Sequence, residues 1–240
     1  MAIAFVQTAS KIEDNGGNAI FSSVSASFPS AVSTGDLICV GGQWDPAGTP
    51  IASVTDNSNN TYTLIVSGGT AQIAGMWYAK NVTGRSNFGV TMSFSALTDY
   101  VYMIAGEWSG LDTTSPFETA SLKTDFTNPT TANAASSSKV VAQANDLLIG
   151  LLVDTTNGTT TTTAGTGWVL RGFLGNGDAG LAMEDITDLV TGNTGSMFTL
   201  AAAHTIDVAF AAFKPATGAA AYYITAQLNN CSLGNARWSA

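Results

Sequence analysis

Residues 100–108 read YVYMIAGEW, and the alternation in this stretch decides the fold. Successive side chains of an extended strand leave opposite faces. Val101, Met103 and Ala105 therefore point one way, and Tyr100, Tyr102, Ile104 and Gly106 the other. Both sets are largely apolar, so the stretch predicts a central strand covered on both sides. Residues 205–213, TIDVAFAAF, alternate more cleanly, with Ile206, Val208, Phe210 and Ala212 opposed to Asp207 and Ala209. That is the pattern of a half-exposed strand.

The rest of the chain speaks the same language. Helix signals are nearly absent, and Thr, Val, Ser, Gly and aromatic runs are broken by turn clusters every ~8–12 residues, the spacing of a sandwich or barrel. Strands are expected at 2–9, 19–28, 36–44, 61–67, 72–80, 88–95 and 100–109. A second set is expected at 117–122, 138–142, 146–153, 167–174, 179–186, 196–201 and 205–214, with a last strand at 221–228. EDNGGN (13–18), DNSNN (56–60) and LGNGD (174–178) carry the Asn-Gly chemistry of tight β turns.

A weak internal repeat organises these strands. DLICVG (36–41) resembles DLLIG (146–150), and NTYTL (60–64) resembles GTGWVL (165–170). MWYAKNVTG (76–84) parallels MEDITDLVTG (183–192), VTMSFS (90–95) parallels MFTLAA (197–202), and the apolar strand ending at Trp108 parallels that ending at Phe213. The matches keep their order and lie between 105 and 110 positions apart. The expectation is an all-β chain: a jelly-roll-like or Ig-like β-sandwich over residues 1–215, built from two pseudo-repeated halves of about 1–110 and 111–215. Separate sandwiches remain the alternative to one interleaved domain. The join (109–139) holds Phe117, Leu122 and Phe126, which give it something to bury, so a single domain is favoured.

Residues 216–240 have no counterpart in the first half. ATGAAA (216–221) reads as a hinge, YYITAQL (222–228) as a strand, and the remainder as a tail. Two readings stand: a frayed edge strand, or an assembly arm that adds a strand to a neighbouring subunit. In the second, Tyr222, Tyr223, Ile224, Cys231 and Trp238 carry the contact.

Composition narrows the setting. The chain of 240 residues is long enough for a real core, since such a chain buries about 70% of its unfolded surface. Charged residues make up 10% of it, against about 25% in ordinary soluble domains, so its polar surface is built mostly from Thr, Ser, Asn and Gly. Eight basic residues and a formal charge of −9 argue against nucleic acid and against an anionic membrane surface. The longest apolar runs are strand-sized, so no membrane insertion is expected. The first residues, MAIAFVQTASKIEDNGG, lack the basic and apolar regions of an export signal. A surface suited to the outside on a chain without that signal fits a virion protein made in the host cytoplasm. A signal removed from a secreted or cell-surface protein fits as well.

Chemistry is thinly represented, and the sequence calls for no cofactor and no metal. His204 is the only histidine and sits in AAAHTID, where a turn is expected, with no Gly-x-Ser-x-Gly elbow elsewhere. Glu107, inside MIAGEWSGL, is the best single carboxylate for a hydrolase, with Asp112 and Glu118 near it in sequence, but no second carboxylate is identified. The expected role is a solvent-facing or locally paired side chain. Asp56, Ser58 and Asn60 have the spacing of a calcium loop, yet Thr61 stands where the loop needs glycine and no distal Glu follows. An Asx turn explains them equally. Cys39 lies in an apolar strand and reads as a buried small hydrophobe. Cys231 lies in the polar tail, and a bond between the two is the minor reading. Among the aromatics Trp44, in GGQWDPAGTP, begins a loop and is the candidate glycan platform, whereas Trp77 and Trp108 follow apolar runs and are expected inside.

GDLI-V (35–40), SVTDN-N-YTL (53–64), MWYAKNV (76–82) and EWSGLD-TSP (107–116) together resemble a β-sandwich module of phage virion structural proteins and bacterial surface proteins. The second half repeats the pattern more loosely, ending in AAFKPA (211–216). The resemblance implies a fold and a setting, with no catalytic site. The expectation is therefore a non-enzymatic virion protein (capsid decoration, head-fibre or tail-fibre component) whose partners are other copies of itself or other virion proteins. The alternative is a carbohydrate-binding or adhesin module that meets surface glycans.

Overall fold

The computed structural model describes residues 2–45, 52–69, 72–118, 123–125, 130–135, 139–141, 145–155, 162–177, 179–187, 192–194 and 197–216. These residues form seventeen strands in antiparallel sheets, with no helix among the described residues.

The first sheet runs β1 (Ala4–Glu13), β8 (Val101–Ser109), β3 (Leu37–Trp44), β6 (Ile73–Ala79), β5 (Thr63–Gly68) in spatial order. One of its faces is covered by a three-stranded sheet, β2 (Phe21–Ser27), β7 (Gly89–Thr98), β4 (Ala52–Asp56). In the second half β9 (Lys123–Asp125) lies beside the C-terminal part of β17 (Met197–Phe213). β12 (Leu147–Asp154), β15 (Gly180–Thr187) and β14 (Val169–Gly175) then follow. The N-terminal part of β17 pairs with β10 (Thr130–Ala135) and β13 (Thr162–Ala164). β11 (Lys139–Val141) and β16 (Gly192–Thr194) form a separate pair.

The alternation of YVYMIAGEW is realised in β8. Val101, Met103 and Ala105 enter a core shared with Val24, Phe28, Trp77, Phe88 and Met92 on the three-stranded side. Tyr102, Ile104 and Trp108 enter a second core on the opposite side. This second core is contributed by both halves of the chain: Leu37, Cys39 and Met76 meet Leu147, Leu151, Leu181, Met183 and Phe213. β3 and β12 are buried along their whole length because this core covers one face of each and a further cluster covers the other. The approach of the two sheets is close enough that a Cβ on Gly41 would overlap the Leu151 side chain. Beyond β12 and β15 a third cluster, Leu152, Ala182, Phe198, Leu200, Ile206 and Val208, packs around β17. Each of the Leu, Ile, Val and Phe side chains contributes roughly 1.5–3 kcal/mol on leaving water.

Several elements differ from the sequence reading. β4, β10, β13 and β16 were expected as loops. β4, β10 and β13 are short and have few large apolar side chains, so no alternation marks them, and they are held extended by ladders to β7 and β17. The strand expected at 117–122 is represented by an isolated bridge from Phe117 to Phe213, and β9 follows later. The strands expected at 196–201 and 205–214 are one strand, β17. The turn expected at His204 is an irregularity in its ladder with β10, which skips from Thr199 to His204.

Candidate functional site

Among the described residues, a concentration of buried polar chemistry surrounds Glu107. Its strand pairs with β1 and β3, which sets Glu107 opposite Gln7 and Ile38. The Glu107 side chain has no exposed surface. Gln7 Nε2 donates to Glu107 Oε2 at 2.6 Å, and the Ser33 N–H donates to Oε1 at 2.9 Å. Gln7 in turn receives the Ser30 N–H on its Oε1 at 3.0 Å and reaches the Ser30 and Ala31 carbonyls. Asp36, at the end of the β2–β3 loop, bonds Glu107 through its side chain. Burial, that bond and the Glu107 charge, in this order, raise the Asp36 carboxyl from 3.8 to about 7. The sequence expectation of a solvent-facing or locally paired Glu107 is corrected: its partners come from β1 and from the β2–β3 loop, far away in the chain. The missing second carboxylate is Asp36. The two carboxyls stand in hydrogen-bond contact, whereas glycosidase pairs are separated by ~5 Å or more to admit sugar or water. The arrangement is a brace tying β1, the β2–β3 loop and β8 together.

A second polar cluster joins the halves. Trp108 Nε1 donates to Asp185 Oδ2 at 2.5 Å, Arg171 Nε donates to Asp185 Oδ1 at 2.8 Å, and the Arg171 guanidinium lies over the Phe5 ring at 4.1 Å. Burial raises the Asp185 carboxyl above its usual range against the pull of Trp108 and Arg171. In the second half His204 Nδ1 meets Asp154 Oδ2 at 2.5 Å, with both side chains buried in strands. Neither cluster was legible beforehand, because each depends on register between strands distant in sequence.

Trp44 is buried, 1% exposed, against Trp77 and Phe94 at ring-centroid distances of 6.1 and 5.7 Å. This corrects the expectation of an exposed glycan platform there. Trp44 shares strand parity with Ile38 and Val40, so its side chain follows theirs into the core. The Asp56 carboxylate is taken up by its own loop: Oδ1 accepts the Ser58 and Asn60 N–H groups at 2.8 and 3.1 Å, and Oδ2 accepts Asn60 Nδ2 and Tyr62 Oη at 2.9 and 3.0 Å. Burial, then the Asp56 charge, raises the Tyr62 hydroxyl. Cys39 is a free, fully buried thiol pushed upward by burial. A hollow of about 190 Å³ is lined by Leu111, Asp112, Thr113, Thr114 and Ala216 where the described chain ends. The Ser115 and Thr114 N–H groups hold Asp112 below the usual carboxylate range there.

Two edge strands of the large sheets expose a large apolar side chain. β5 reads TLIVSG and contains no charged residue and no proline, and Leu64 on it is 51% exposed. β14 reads VLRGFLG, and Val169 is 47% exposed. The candidate arm residues Tyr222, Tyr223, Ile224, Cys231 and Trp238 lie outside the described residues. No protein-family model matches the chain, and no curated protein and no solved structure matches it.

Proposed function

We propose that this chain is a structural protein of a phage virion, exposed on the particle surface and acting by protein–protein assembly. The observation that carries the reading is β5. A monomer that must stay in solution blunts its sheet edges with Lys, Pro, charges or bulges. β5 retains one bulge, between Leu64 and Val66, and otherwise offers an uncharged apolar edge. Eight acidic residues, Asp36, Asp99, Glu107, Asp146, Asp154, Glu184, Asp185 and Asp207, are buried and so contribute little charge to the surface as a whole.

The strand order supports the same reading. We infer that each half is one jelly-roll sandwich. The first half arranges its strands 1-8-3-6 against 2-7-4, the jelly-roll order, with the fifth strand placed beside the sixth. The second half gives the same order when β9, β10, β12, β13, β14 and β15 take places one to six and β17 supplies both the seventh and the eighth. Jelly rolls serve both capsids and lectins, so fold analogy alone leaves the adhesin alternative open. The burial of Trp44 removes its best platform.

The test has two parts. Peptide mass spectrometry of purified particles from the source should detect the chain, and its presence only in an envelope or secreted fraction would overturn the virion assignment. Light scattering on the whole chain and on residues 1–215, with and without reductant, should give an oligomer and a monomer respectively. Monomers in both would remove self-assembly and the arm, and would turn the question to a glycan screen.

A further inference from the structure

We propose that the inner face of each half is one side of a pseudo-two-fold dimer interface, closed here within one chain, so that the partner each face fits is the other, equivalent sandwich. The inference rests on the equivalence of the halves. Strand pairing defines that equivalence residue by residue. Gly41 pairs with Met76 and Leu151 with Met183. Leu37 pairs with Trp108 and Leu147 with Phe213. Leu64 lies opposite Trp77 and Leu170 opposite Glu184, each immediately before a bulge. Gly41 thus corresponds to Leu151, Trp108 to Phe213, and Tyr78 to Asp185.

In a two-fold interface a residue on the axis touches its own equivalent, and every contact away from the axis occurs twice with its members exchanged. Both signatures are present. Gly41 and Leu151, equivalent to one another, are in contact where the two sheets cross. Away from that point, Trp108 meets Asp185 at 2.5 Å, and the exchanged pair, Phe213 with Tyr78, meets at a ring-centroid distance of 5.5 Å. Stacking by translation would instead set Trp108 over Phe213. Each of these residues is also backed alike within its own half: Phe5 packs on Trp108 and Phe117 on Phe213, both at 5.8 Å.

The interface is two-fold in plan and complementary in detail. Two copies of the first half would bring glycine to glycine on the axis and leave a void there. Two copies of the second would drive leucine into leucine. One of each fills the space, as a knob fills a hole. The polar Trp108–Asp185–Arg171 contact on one side and the aromatic Phe213–Tyr78 contact on the other mark the same preference. The face therefore selects the other half, from its own chain or from a second chain by exchange.

The experiment exchanges knob and hole in the full-length protein. Gly41→Leu and Leu151→Gly are made singly and together, and unfolding midpoints in urea are compared. Each single variant should lose stability, the first by overlap and the second by a cavity. The double variant should recover at least half of the summed loss in midpoint, because a two-fold axis gives the leucine equivalent surroundings from either side. A double variant no better than the sum of the singles, or singles without effect, would overturn the axis. Where a single variant does not accumulate as folded protein, the double decides: cooperative unfolding supports the axis, and three insoluble variants reject it. Failure sinks the axis alone, since the equivalence of the halves stands on strand order, and the virion assignment is read from particles.

Discussion

The side chains of Asp36 and Glu107 bond one another under the β2–β3 loop, and Glu107 spends its remaining capacity on Gln7 and the Ser33 N–H. Burial, then the bond to Glu107 and the Glu107 charge, keep the Asp36 carboxyl protonated up to about pH 7. The unfolded chain releases that proton near pH 3.9. The folded pKa is the raised one, so the contribution is fully present below about pH 4 and is lost as pH rises through about 7. The urea midpoint should therefore be higher at pH 5 than at pH 8. Asp36→Asn supplies Glu107 with a donor at every pH. It should flatten this slope and exceed the wild type at pH 8 by about 1–2 kcal/mol. An unaltered slope in that variant would dismiss Asp36 as the titrating group.

Asp185 ties the second half to the first through Trp108, and its other oxygen takes Arg171. Asp185→Ala strands a buried indole N–H and a cation that is 23% exposed. It should cost about 3–5 kcal/mol in chemical denaturation, as broken buried pairs do. Asp185→Asn keeps an acceptor for Trp108 and should cost less than half as much. Equal losses from the two variants would mean that the carboxylate geometry does not matter at this junction.

What was legible beforehand follows from where each segment finds its stability. β3, β8 and β12 are apolar on both faces, so their burial was written in DLICVGG, YVYMIAGEW and DLLIGLL before any partner was known. β4, β10 and β13 are short and polar, and they are strands because β7 and β17 pair with them, a fact held in other parts of the chain. Trp44 was misplaced because its loop signal, DPAGTP, begins one residue later. Its parity with Val40 was the better guide. Asp36 and Glu107 were each visible as carboxylates, but their contact depends on the pairing of Ile38 with Glu107, which no local pattern encodes.

Cys39 offers a check on the double-sided burial of β3. Its thiol has no exposed surface and is pushed upward by burial, so thiolate is scarce and reagent access is closed. In a Cys231→Ser background, which leaves one thiol, a disulfide-exchange reagent at pH 8 should label the folded protein no faster than it unfolds. In urea above the midpoint labelling should be immediate and stoichiometric. Rapid labelling of the folded variant would place Cys39 outside the shared core.

Leu64 tests the edge on which the assembly reading depends. It is exposed on β5, so Leu64→Lys removes little buried contact and should alter stability by no more than about 0.5 kcal/mol. A lysine there is a device by which natural sheets refuse an incoming strand. If β5 receives a neighbour, the variant should run on a sizing column with light scattering as a monomer at concentrations where the wild type is an oligomer. Val169→Lys, on the corresponding edge strand β14, where Arg171 already places a charge, should change the mass less. A wild type that is oligomeric and remains so in Leu64→Lys would move the contact away from β5. The arm variant ending at residue 215 then decides whether the C-terminal segment joins copies by docking elsewhere.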